Sequence, residues 1–168
     1  MSKILVIGLG NPILGDDGVG WVVAQEVERR LHASSSLSSP GQQNTPITIE
    51  CLSLAGISLM ERMIGYERII LIDSLNTGKY PQGAVITFSL ASLEDLTYGH
   101  SASAHDLSLK RALELGRTMG ASLPDEENIQ VVAIEAAHVY DFTEELSPEI
   151  AAAVPQAVET TLKLLGAL

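Results

Sequence analysis

The first twenty residues constrain this chain most. Ile4, Leu5, Val6 and Ile7 form an uninterrupted apolar run, Gly8-Leu9-Gly10-Asn11-Pro12 follows as a glycine-rich turn, and Gly15-Asp16-Asp17-Gly18-Val19-Gly20 leads into a helical pattern. Such a succession specifies a buried strand, a tight turn and a helix, the opening unit of an α/β sheet. A strand-to-helix turn exposes backbone N–H groups that favour anions. Here Asp16 and Asp17 already supply the negative charge and would repel a pyrophosphate. The dinucleotide fingerprint fails as well, because Ile13 stands where its third glycine belongs. The loop presents carboxylates, so its expected ligand is a cation.

Strand and helix signals alternate along the rest of the chain. Strands are expected at 3–9, 47–52, 68–73, 84–90 and 129–134, and helices at 18–32, 57–64, 103–119 and from 148 onward. Ile69, Ile70, Leu71 and Ile72 in succession mark a strand covered on both faces, whereas 84–90 alternates as an edge strand does. Ser147-Pro148-Glu149 opens the last helix with a capping hydroxyl, proline at the first helical position and an acid in the first turn. Ile150, Val154, Val158, Leu162 and Leu165 give that helix an apolar face. Residues 33–46, rich in Ser, Gln, Asn and Pro, read as a surface loop insertion. The expected architecture is a three-layer α/β sandwich: a mostly parallel, twisted five-stranded sheet with helices on both faces, in a single domain spanning 1–168.

The chain has 168 residues and a formal net charge of −11. That balance opposes a nucleic-acid partner, whose binding rests on clustered cations. It favours a partner that is basic or metal-bearing. The single cysteine, Cys51, excludes an intrachain disulfide framework, fits a reducing compartment and is expected to be a small core residue. No apolar run reaches membrane-spanning length and no signal-peptide layout precedes the first strand. A cytoplasmic protein without membrane contact is expected.

Ligands of open α/β sheets bind beyond the carboxyl ends of the strands. That rule selects Asp16 and Asp17 after the first strand, Asp73 at the end of the third, His105 at the start of the following helix, and His138 and Asp141 after the last strand. Asp73 closes four apolar residues, so its charge needs a partner; a bond to the N–H groups of the next loop would also satisfy it. Of the adjacent pair, Asp16 is expected to cap a helix or face solvent and Asp17 to point into the cleft. His100 and His138 are expected to be structural or solvated. Two carboxylates and an imidazole form a mixed oxygen and nitrogen set suited to nickel or zinc, with positions left for water or substrate. Without metal, two carboxylates at close range form a protonated and ionised acid pair. Both alternatives lead to hydrolysis.

These residues give the chain a family resemblance. Gly8-Leu9-Gly10-Asn11 with Asp16-Asp17-Gly18-Val19-Gly20, Asp73 after Ile69-Ile70-Leu71-Ile72, His105 followed by Leu109, and Leu146-Ser147-Pro148 occur in the order and spacing of the [NiFe] hydrogenase maturation proteases. The resemblance implies an endopeptidase that removes a C-terminal extension from the [NiFe] hydrogenase large-subunit precursor after nickel insertion. It further implies that Asp17, Asp73 and His105 contact the metal and that the precursor supplies the nickel for recognition. Two segments depart from the family pattern: Leu52-Ser53-Leu54, where Gly-Gly-Thr is usual, and Glu135-Ala136, where Gln-Pro is frequent. Both bear on which precursor is recognised. Two other readings share features of the sequence. A non-enzymatic nickel or hydrogenase accessory module would use the same three residues. Peptidyl-tRNA hydrolases share the Gly-Leu-Gly-Asn-Pro turn, but follow it with an Arg-His-Asn segment and carry a basic face.

Overall fold

A computed structural model describes the backbone of residues 3–35, 45–92 and 104–166, and their side chains except those of Ser35 and 104–108. Along the chain run β1 (Ile4–Leu9), α1 (Val19–Ser35), β2 (Ile47–Leu52), α2 (Gly56–Met63), β3 (Arg68–Leu75), β4 (Val85–Ser89), α3 (Ala104–Thr118), β5 (Ile129–Glu135) and α4 (Pro148–Leu165). The sheet order is β2-β1-β3-β5-β4. The β1–β2, β1–β3 and β3–β5 pairs are parallel, and edge strand β4 runs antiparallel to β5. The fold is the expected α/β sandwich.

The alternation of side chains along each strand divides the core in two. Leu5, Ile7, Leu9, Ile69, Leu71, Val131 and Ala133 face α2 and α3, where Leu59, Met60, Met63, Leu109 and Leu113 meet them. Val6, Ile70, Ile72, Val132 and Ile134 face α1 and α4, packing against Val23, Val27, Ile150, Val158 and Leu162. A strand whose successive residues both meet helices has no polar face, which is why β1 and β3 read as unbroken apolar runs. Chain direction across the sheet reverses at β1, which has β2 on one side and β3 on the other. The crevice of such a sheet opens where two such neighbours end, here at the carboxyl ends of β1 and β3.

Some boundaries differ from expectation. Helix α1 continues to Ser35, into the segment read as a loop: Ala33 is a strong helix former, and the Ser34 hydroxyl donates to the Arg30 carbonyl at 3.0 Å. Strand β3 continues through Ser74 and Leu75, which pair with Ile134 and Glu135. Asp73 therefore lies inside the strand rather than at its end. On edge strand β2 every residue is only partly buried, so Cys51 lies at the margin of the core and not within it. Desolvation, and behind it the Glu28 carboxylate, push its thiol above the usual range, so it is a poor nucleophile.

Candidate active site

Between β1 and α1 the chain makes a turn and a 3-10 segment, Gly15–Gly18. Gly10, with φ +129°, begins it; a β-carbon there would collide with the Asp17 carbonyl, so the loop closes on itself only with glycine. This closure brings the Asn11 N–H to Asp17 Oδ2 at 2.8 Å. The loop is held from outside by the Ser53 hydroxyl, which donates to the Gly10 carbonyl at 2.6 Å. The Leu52 carbonyl accepts from the Gly10 N–H and the Trp21 indole, both at 3.2 Å. The unusual Leu52-Ser53 segment thus braces the carboxylate loop.

Ser74 joins the two carboxylates. Its N–H donates to Asp73 Oδ1 at 2.8 Å and its hydroxyl to Asp17 Oδ1 at 3.2 Å. Asp73 is 7% exposed and Ser74 8%, so the bond between them is shielded from water, whereas the bond to the half-buried Asp17 is only partly so. The register of β3 explains the arrangement. Ser74 continues the Ile70 and Ile72 row toward α1 and its carboxylate loop, whereas Asp73 continues the Ile69 and Leu71 row toward α2 and α3. His105 is the second residue of α3. This helix feeds β5, so its start lies toward the end of the sheet where β1 and β3 finish. The side chain of His105 and all of residues 93–103, His100 included, lie outside the described residues. Among the described residues no group of three or more His, Cys, Asp or Glu side chains forms a metal-binding set.

Asp16 differs from expectation. Its side chain neither caps the adjacent helix nor faces solvent: the residue is 1% exposed, and its two oxygens accept from the Ser147 N–H at 2.7 Å and the Ser147 hydroxyl at 2.8 Å. The Ser147 hydroxyl makes no capping bond to α4 because it is turned to Asp16. A carboxylate from the first loop thereby fixes the start of the last helix. The Asp16 N–H donates to the His138 carbonyl at 3.0 Å, which completes the clamp. An Asp16→Ala variant is expected to lose about 2 kcal/mol of stability, since it strips two charge-assisted bonds from the half-buried N–H and hydroxyl of Ser147. Denaturant unfolding beside Ser147→Ala, which retains the N–H bond and should lose less, checks this.

Glu135, expected from the family pattern to bear on precursor recognition, has a structural partner instead. It is 3% exposed and accepts from the Thr77 N–H, the Gly78 N–H and the Thr77 hydroxyl at 2.7–2.8 Å. It holds the turn that follows Asp73 and Ser74, a structural task. His138 is exposed and pairs with Asp141 at 3.1 Å, as befits a solvated histidine.

The family model for HycI, a hydrogenase maturation protease, matches residues 53–164, well over half of the chain. This chain belongs to the hydrogenase maturation protease family. It is accordingly a peptidase of hydrogenase processing, which sets aside both the accessory module and the tRNA hydrolase. The hydrogenase expression/formation protein HupD of Rhizobium leguminosarum bv. viciae is 23% identical over 163 residues, covering 97% of this chain and 74% of HupD. Among solved structures, the hydrogenase maturating endopeptidase HybD from E. coli superposes with a TM-score of 0.72 at 22% identity, over 98% of this chain and 92% of HybD. The [NiFe] hydrogenase maturation protease HybD from Thermococcus kodakarensis gives 0.66 at 27% identity, over 97% and 99%. The family match spans Asp73 and His105; the carboxylate loop precedes it but falls within the span of these longer likenesses. Among the described residues of this maturation protease, no helix is long and apolar enough to cross a membrane.

Proposed function

We propose that this maturation protease removes the C-terminal extension of a nickel-loaded [NiFe] hydrogenase large-subunit precursor, in the cytoplasm, with the precursor's own nickel as its recognition element. The observation that supports the reading is the position of Ser74, whose hydroxyl donates to Asp17 and whose N–H donates to the adjacent Asp73, near the carboxyl ends of β1 and β3. The nickel is part of the substrate. Asp17 and Asp73 offer it hard oxygen donors, and His105 supplies an imidazole from the start of α3. Asp17 Oδ2 accepts one bond from the loop and Oδ1 one from Ser74 of β3, which leaves lone pairs for a metal while the carboxylate stays oriented. An acidic cleft of this kind has little to gain from a nickel-free precursor and completes coordination around a loaded one. Cleavage thereby becomes a checkpoint on nickel insertion.

Two routes use the same residues. A carboxylate takes a proton from water as it attacks the scissile carbonyl, or the substrate's nickel polarises that water or carbonyl. Intact-mass spectrometry of nickel-loaded and nickel-free precursor, each incubated with the protein, tests the proposal. Loss of a discrete C-terminal peptide from the loaded sample alone is the expected result. Cleavage of both samples would remove nickel as the recognition element, and cleavage of neither would overturn the assigned substrate.

A further inference from the structure

The segment between β5 and α4 carries two aromatic side chains in full view of solvent. Tyr140 is 83% exposed and Phe142 84%, and Ile13 of the carboxylate loop beside them is 41% exposed. Large apolar side chains left on a surface together mark an interaction site more often than a chance exposure. Their backbone is fixed. Thr143 bridges Leu14, its N–H donates to the Ile13 carbonyl at 3.1 Å, and its carbonyl accepts from the Gly15 N–H at 2.7 Å. With the Asp16–Ser147 clamp, these bonds hold the aromatic segment as a strap against the loop that presents Asp17. The aromatics are therefore displayed by a braced element continuous with the catalytic cleft, and little ordering is needed when a partner covers them.

Charge indicates what that partner looks like. The aromatics' own segment carries Asp141, Glu144 and Glu145, and Glu149 follows in the first turn of α4, all exposed, while no lysine or arginine lies between residues 136 and 149. The geometry points to this strap as the docking surface for the precursor itself, meeting a basic surface with an apolar recess that receives Phe142 and Tyr140. The inference rests on the proposed substrate and adds a contact outside the cleft. Aromatic anchors surrounded by polar contacts carry most of the affinity in such interfaces, and the acidic residues of the same segment steer a basic partner toward the site.

Steady-state cleavage of the nickel-loaded precursor by the wild type, Phe142→Ser, Tyr140→Ser and Glu144→Lys/Glu145→Lys variants tests the strap. Met119→Ser is the control, because Met119 is 79% exposed but follows α3 at the other end of the sheet. The expected result is a KM raised about tenfold in each aromatic variant with kcat within twofold. The charge variant should lose the salt dependence of kcat/KM, and Met119→Ser should match the wild type. Unfolding midpoints equal to that of the wild type would show that the fold is intact. An unchanged KM in the Phe142→Ser/Tyr140→Ser double variant overturns the docking strap and leaves the proposed substrate standing. A wild type that does not cleave the loaded precursor overturns both.

Discussion

An Asp73→Asn variant is expected to fold and to lose peptide release by about 10²-fold or more. Asparagine keeps the carbonyl oxygen that accepts the Ser74 N–H and removes only the charge and the proton-accepting capacity. Strand β3 therefore retains its pairing, and the unfolding transition should shift little. Asp17→Asn should behave alike: its amide oxygen can accept from the Asn11 N–H while its amide nitrogen donates to the Ser74 hydroxyl, which can turn to receive it. Intact-mass detection of the released peptide, with precursor binding measured in parallel, gives the readout. Cleavage lost with binding retained assigns the carboxylate to chemistry, whereas binding lost in step with cleavage assigns it to holding the substrate's metal. Cleavage at the wild-type rate in both variants would remove these residues from the site.

The second large effect is on stability. Gly20→Ala replaces a glycine in the first turn of α1 with the best helix former, a change that ordinarily stabilises an exposed helix by up to about 1 kcal/mol. Here the sign reverses. A β-carbon at Gly20 would run into the carbonyls of Leu9 in β1 and Ile72 in β3, both of them backbone atoms of the central strands. Neither can yield without lifting α1 off the sheet or parting its middle, so a loss of about 3 kcal/mol or more is expected. That is a large fraction of the stability of a domain of this size. Gly120→Ala is the comparison: nothing lies within reach of its β-carbon, and only its φ of +85° opposes the change, at about 1–2 kcal/mol. Denaturant midpoints that rank Gly120→Ala as the more damaging change would refute the close-approach argument.

The same contact explains how much was legible beforehand. Four apolar residues in a row at Ile4–Ile7 and again at Ile69–Ile72 forced strands buried on both sides, and helical spacing at Val23, Val27, Ile150 and Val158 forced amphipathic helices. Those patterns are local, and they yielded the layered fold, its sheet and the edge position of β4. Residue chemistry at strand ends then drew attention to Asp17 and Asp73. Ser74 went unnoticed because a serine beside an acid carries no signal of its own; only the two-residue period of β3, extended past Asp73, aims it at the carboxylate loop. Ser147 reads as a local cap, and Asp16 as a cap or a solvent-facing acid, because those are the commonest uses of such residues near a helix start.

Sequence by itself determined the elements, their order and the family, because hydrophobic period and a spaced motif are properties of the chain read one segment at a time. Tertiary structure decided how the polar groups are shared between segments. Asp16 and Ser147 stand 131 residues apart and satisfy each other, and Asp17 and Ser74 do so across 57. A buried polar group must find a partner wherever the packed core brings one within reach, and no local pattern in the chain records which one that is.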